Sequence, residues 1–212
     1  MKRCLVLNPN TTEAITELVL GACRGAQPGV AWEGRSARFG AAYIADEVAY
    51  AKAAHAVIDA YEAYYAGHDA VLLACFGDPG LLAMRQLAPV PVVGLAQSSL
   101  QAAARRGRFA VVTGGHAWQS MLERFTRAHQ LEERLVSIYT VELTGAQIVA
   151  EPERALDDLT AAARRGIGQG AEVILLGGAA LYGLSGQLQP RLKAPVLDNV
   201  LLAAQAVADA VA

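Results

Sequence analysis

Ala70-Val71-Leu72-Leu73-Ala74-Cys75-Phe76-Gly77-Asp78-Pro79-Gly80 decides the fold, because its first half recurs as Val173-Ile174-Leu175-Leu176-Gly177-Gly178. Each copy is an uninterrupted apolar run that stops at small residues. Such a run reads as a strand of a parallel sheet with helices covering both faces. Working outward, Pro91-Val92-Val93 matches Pro195-Val196-Leu197, and Leu5-Val6-Leu7-Asn8 matches Ala110-Val111-Val112-Thr113. Asn8 precedes Cys75 by 67 positions and Thr113 precedes Gly178 by 65, while the downstream separations are 16 and 17. Strand ends kept at matching distances point to an internal duplication.

Candidate strands are Cys4–Leu7, Val30–Ser36, Ala70–Ala74, Phe109–Thr113, Leu135–Val141, Val173–Leu176 and Val196–Leu197. Helical patterns run over Thr12–Arg24, Ile44–Tyr65, Ala96–Arg106, His116–His129, Pro152–Gly168 and Asn199–Val211. The alternation reads as repeated βαβ units. The expected fold is α/β, with two pseudosymmetric lobes, each a parallel sheet flanked by helices. Residues 1–95 with 196–212 form the first lobe and 96–195 the second. Ligands of parallel sheets bind beyond the carboxyl ends of the strands. Asn8, Cys75, Thr113 and Gly178 all stand there, and lobes facing each other would bring the four into one interlobe cleft.

Of 212 residues, 54% are apolar and 18% charged, with 18 Lys and Arg against 20 acids. Scattered, balanced charge argues against nucleic acid as a partner, and the apolar content against disorder. After Met1-Lys2-Arg3 only Cys4 to Leu7 are apolar before Asn8-Pro9-Asn10, short of the about 7 to 15 residues of a signal peptide. No run reaches the about 18 apolar residues of a spanning helix. Cys4, Cys23 and Cys75 form no close pair, and His55, His68, His116 and His129 show no ligand spacing. The expectation is a cytoplasmic protein without metal, membrane or nucleic-acid partner, and the apolar content points to a homo-oligomer.

The strand ends carry the chemistry. Asn8-Pro9-Asn10-Thr11-Thr12 supplies turn residues and an N-cap, Thr11 or Thr12, whose helix start favours an anionic ligand oxygen. Thr113-Gly114-Gly115 lacks the spacing of a dinucleotide or phosphate loop. In Cys75-Phe76-Gly77-Asp78-Pro79-Gly80, glycines allow close backbone approach and Pro79 suits the first turn of the next helix. N–H groups at that helix start would lower the thiol pKa and stabilise an oxyanion. Cys4, inside a strand, and Cys23, inside a helix, read as structural.

Together, Asn8-Pro9-Asn10-Thr11-Thr12, the Cys75–Gly80 motif and the late strand ending in Leu176-Gly177 resemble the aspartate/glutamate/hydantoin racemase superfamily, and its hydantoin and allantoin racemase branch in particular. The likeness covers essentially the whole chain. It implies an active site between two lobes, no metal or organic cofactor, and a small carboxylate or hydantoin-like substrate. It also implies a cysteine from each lobe: one removes the α-proton as thiolate, the other returns a proton from the opposite face. Cys75 takes the first role. Asn8, Thr11 and Thr113 become polar ligands for substrate oxygens. N–H groups of Phe76 and Gly77 and of Gly178 and Ala179 become oxyanion donors, and Gly114 a further substrate-binding residue.

The second-lobe motif of that family carries a cysteine where this chain has Gly178. Three readings follow. A racemase could complete its proton relay with Tyr182, His116 or Tyr43 in place of the thiol. A single thiol could instead protonate an enolate from one face, as in a malonate decarboxylase; the arylmalonate decarboxylases are similar in using one cysteine, although theirs lies in the second lobe. Third, the chain could bind a small acid without catalysis. Racemisation of amino-acid derivatives is favoured, because a hydantoin-like α-proton is acidic enough for one good thiolate and a modest partner.

Overall fold

The computed structural model describes residues 1–142 and 151–212. The elements are β1 (Lys2–Asn8), α1 (Glu13–Ala26), β2 (Val30–Ser36), α2 (Glu47–Tyr64), β3 (Ala70–Leu73), α3 (Leu81–Leu87), β4 (Val92–Gly94) and α4 (Leu95–Arg106). They continue with β5 (Phe109–Gly114), α5 (Trp118–Ala128), β6 (Leu135–Val141), α6 (Pro152–Gly168), β7 (Val173–Leu176), α7 (Leu184–Leu188), β8 (Val196–Asp198) and α8 (Asn199–Ala210). The chain divides into two compact units, Met1–Ser98 with Val200–Ala212, and Ser99–Asn199.

Each unit holds a four-stranded, all-parallel sheet, ordered β2-β1-β3-β4 in one and β6-β5-β7-β8 in the other. The duplication extends to single backbone bonds. Ala74 N–H donates to Leu7 O as Gly177 N–H does to Val112 O, each at 2.9 Å. Val71 and Ile174 donate to the carbonyls of Pro91 and Pro195, again at 2.9 Å. At the opposite strand ends, Arg3 N–H meets the Asp69 carboxylate and Arg108 N–H the Glu172 carboxylate, both at 2.8 Å.

Side-chain volume explains the layers. β3 and β7 are buried at every position, as continuous apolar runs between two helical layers require. In the first unit, Leu5, Leu7, Val71 and Leu73 pack with Val57, Ala60, Tyr61 and Met84. In the second, Ala110, Val112, Ile174 and Leu176 pack with Leu156, Leu159, Ala162 and Ala163 of α6. Gly166 lets α6 lie close on β5: a Cβ there would fall 2.6 Å from Ala110 Cβ.

Two helix starts differ from the sequence expectation. The pattern from Ile44 becomes helical only at Glu47, because the Asp46 carboxylate caps it by accepting from Ala49 N–H at 2.8 Å. The pattern from His116 becomes helical at Trp118. Among the described residues no helix is long and apolar enough to cross a membrane.

Candidate active site

In the first unit, β1 and β3 lie side by side with Leu7 in register with Leu73, so the segments after both strands emerge together. Cys75 stands just past β3 and is 9% exposed. The chain turns back at once: Cys75 N–H reaches Leu73 O at 3.1 Å, and Gly77 and Asp78 N–H both donate to Cys75 O, at 2.9 and 3.0 Å. The Gly77 N–H is therefore spent inside the turn. Tyr50 of α2 closes the other side, its hydroxyl donating to Gly77 O at 2.8 Å.

Two expectations about this turn are overturned. Pro79 is not in a helix: α3 begins at Leu81 with Gly80 before it in the left-handed region (φ 82°). Glycine is required at 80, since a Cβ would lie 3.0 Å from Ala54 O. The helix starts six residues beyond Cys75, not directly after it. Burial therefore dominates and, with the nearby Asp78 charge, pushes the Cys75 thiol well above the ordinary cysteine range. Cys75 rests with its proton on. Burial also raises Cys4 to about 11 and Cys23 to about 12, in keeping with inert core thiols.

Asp78 is the residue sequence reasoning passed over. It is 3% exposed, in left-handed backbone (φ 52°), and its two carboxylate oxygens accept from Ala96 N–H at 2.9 Å and Gln97 N–H at 2.8 Å. Burial pushes its carboxyl up to about 7, against the lowering pull of those N–H groups and Arg85. The signal available in sequence was a carboxylate three residues after the cysteine, with Gly94 ending the next strand.

Asn8 is 0% exposed and its amide is engaged locally. The nitrogen donates to Asn10 Oδ1 (2.9 Å), Thr16 Oγ1 (3.0 Å) and Thr12 O (3.3 Å), while its oxygen accepts from Asn10 N–H. Thr12 occupies the cap position of α1, yet its hydroxyl donates to Ala42 O at 2.7 Å instead of capping. Thr11 N–H donates to Ala41 O at 3.2 Å. The 8–12 segment is thus stitched to residues 41 and 42. Tyr43 stays 58% exposed.

In the second unit Thr113, buried, is the next-to-last residue of β5, and Gly114, which ends the strand, pairs with Val141. Gly178 follows β7 with φ 111° and ψ 126°. A Cβ there would sit 3.6 Å from Thr113 Oγ1, ordinary contact, so Gly178 and Thr113 do adjoin. Space is available, but the backbone angle is one that side-chain-bearing residues rarely adopt. Leu181 N–H caps Gly178 O at 3.0 Å. His116 lies on the β6 side, with Nδ1 3.0 Å from Thr140 Oγ1 and its backbone N–H 2.6 Å from Glu142 Oε1. Tyr182 closes the short helical turn Ala179–Leu181.

The family model for Asp/Glu/hydantoin racemase matches residues 4–207. The chain is 32% identical to the hydantoin racemase of Pseudomonas sp. (strain NS671) over 202 residues, 92% of this chain and 80% of that one. It is also 32% identical to the hydantoin racemase of Paenarthrobacter aurescens, over 93% of this chain and 86% of that one. Among solved structures, the allantoin racemase of Pseudomonas fluorescens superposes with a TM-score of 0.93 at 30% identity, covering 98% of this chain and 89% of that one. With two parallel α/β units that end in this cysteine turn and this glycine turn, the chain belongs to the Asp/Glu/hydantoin racemase family and is an isomerase by that membership.

Proposed function

We propose that the chain racemises hydantoin-like amino-acid derivatives without a cofactor, with Cys75 moving the α-proton on one face of the substrate. The observation that carries this reading is the Cys75 turn: a buried, protonated thiol at the carboxyl end of a central strand. In the forward step Cys75 first gives its proton to solvent, the thiolate then takes the proton from Cα, and the C–H electron pair moves onto the adjacent carbonyl oxygen. Backbone N–H groups supply the compensating positive field. The Phe76 N–H has no partner among the described residues, which suits it to this role. In the second unit the N–H groups of Gly178 and Ala179, with the Thr113 hydroxyl, are the substrate contacts we propose.

A thiol raised by burial is seldom ionised, but its thiolate is a correspondingly strong base. An acidic hydantoin-type α-proton suits that balance better than the proton of a free amino acid. The resting thiol already carries a proton to return to the carbanion, but inversion needs the proton delivered on the opposite face, a donor role we assign to Tyr182 or His116 of the second unit.

Gly178 favours a second reading. Glycine at the position matched to Cys75 leaves no second thiol there, and one thiol suffices to protonate the enolate left by decarboxylation of a substituted malonate. A panel of hydantoins, allantoin, acidic amino acids and malonates in heavy water, followed by proton NMR and chiral chromatography, separates the two. Racemisation predicts deuterium at the α-carbon of a hydantoin and its loss in Cys75→Ala. Carbon dioxide release from malonates would move the assignment to decarboxylation, and turnover indifferent to Cys75→Ala would overturn both.

A further inference from the structure

We propose that Asp78 is a positioning residue for Cys75: clamped between the cysteine turn and the first turn of α4, its carboxyl group fixes the thiol's place and, when ionised, sets a negative charge beside it. The inference deepens the proposed role of Cys75 and rests on it.

The geometry is specific to a carboxylate. Both oxygens are used, one on each of two successive backbone N–H groups, Ala96 and Gln97, so an uncharged amide could satisfy only one. The room for it exists because position 94 is glycine: a Cβ there would fall 2.5 Å from Asp78 Cγ and 2.8 Å from Leu81 Cδ2. The same three-residue step that reaches α4 carries the Asp78 N–H back to Cys75 O. Asp78 therefore ties the cysteine turn to a twelve-residue helix.

The second unit builds the matching clamp from the opposite side. Asp198 stands in register with Leu176 as Gly94 does with Leu73. Its carboxylate accepts from Gly183 N–H at 3.0 Å and Ser185 Oγ at 3.2 Å. The carboxylate there comes from the strand and the donors from the loop; in the first unit the loop gives the carboxylate. Only that version carries the acid on the segment bearing a cysteine.

The groups facing Asp78 are few. The β3 end contributes Cys75, α3 contributes Arg85, which also holds Val92 O and Gln97 Oε1, and α2 contributes Tyr50 through Gly77 O. The first turn of α4 offers only N–H groups. Among the described residues Arg85 is the one cation acting on the carboxyl, so ionised Asp78 opposes ionisation of the neighbouring thiol.

The test is the pH dependence of Cys75 alkylation by iodoacetamide, read by peptide mass spectrometry on the intact protein without substrate. Asp78→Asn should lower the midpoint by about one pH unit or more, and Asp78→Glu should keep it high. Gly94→Ala, which displaces the carboxylate without removing it, should also shift the midpoint while leaving the far-ultraviolet circular dichroism intact. If Asp78→Asn is too unstable to assay, the Gly94→Ala midpoint decides. Midpoints unchanged from wild type in the folded variants would overturn the proposal and leave Asp78 a loop clamp. Because no substrate is present, this outcome is independent of the turnover experiment that tests the role of Cys75.

Discussion

The carboxylate of Asp78 fills the space that a side chain at Gly94 would need: its carbon lies 2.5 Å from where a Cβ at position 94 would be. The strand end and the cysteine turn are thereby joined through a side chain, not through the sheet ladder.

A double-mutant cycle should expose this joint. Gly94→Ala alone is expected to cost about 2–3 kcal/mol, typical of forcing a methyl group into packed surroundings. In an Asp78→Gly background the same substitution should cost less by about 1 kcal/mol or more, since the carboxylate is gone and Leu81 Cδ2, 2.8 Å from the added Cβ, has to yield. Urea unfolding of the four proteins measures the coupling. Additive penalties would show that the two positions do not share their space.

Asp78 also predicts a pH dependence of stability. Its folded pKa is raised to about 7 from 3.8 by burial. Between those values the folded protein holds a proton that the unfolded chain has released. The contribution of this group is therefore present in full below pH 3.8 and is lost as pH rises through 7, by about 1.4 kcal/mol per pH unit in the interval. Urea midpoints at pH 5 and pH 7.5 should fall for wild type, and that fall should be smaller in Asp78→Asn. Equal slopes in the two proteins would contradict the buried, titrating carboxyl.

Gly178 separates space from backbone strain. A Cβ meets nothing closer than Thr113 Oγ1 at 3.6 Å, so Gly178→Ala should lose only the about 1–2 kcal/mol of an unfavourable φ. Gly178→Cys should fold with a similar penalty and place a second thiol in the matched position. If the proposed racemisation holds, this variant should invert substrate faster than wild type while α-deuterium exchange changes less. Chiral chromatography and NMR on the same samples give the ratio; inversion no faster than wild type would count against a missing second donor.

Asn8 should prove to be a stability determinant. Its buried amide makes four bonds to Asn10, Thr12 and Thr16. Asn8→Ala leaves those groups unsatisfied and is expected to cost about 2–3 kcal/mol, seen as a lowered thermal midpoint. Asn8→Asp should be worse, because the nitrogen that donates to Asn10 Oδ1 becomes an acidic oxygen. A midpoint within a degree of wild type for Asn8→Ala would remove the organising role.

Much of the fold was legible in the sequence because parallel strands covered on both faces must be continuous apolar runs. Ala70–Leu73 and Val173–Leu176 announce themselves by composition alone. Helix starts were less legible: Asp46 ends the ambiguity at α2 through one side-chain bond to Ala49, and such a bond leaves no period in the sequence.

The sequence by itself determined the duplication, the strand ends, and the correspondence of Cys75 with Gly178 in the repeat, since each is a matter of residue type and spacing. Only the tertiary structure decided the state of that thiol. Sequence reading placed a helix start beside Cys75 and expected its pKa to fall; folding instead buries the sulfur, starts α3 six residues later and sets Asp78 nearby. Desolvation and a neighbouring charge depend on what surrounds a group in space, and the bonds from Asp78 to Ala96 and Gln97 join residues 18 and 19 positions apart.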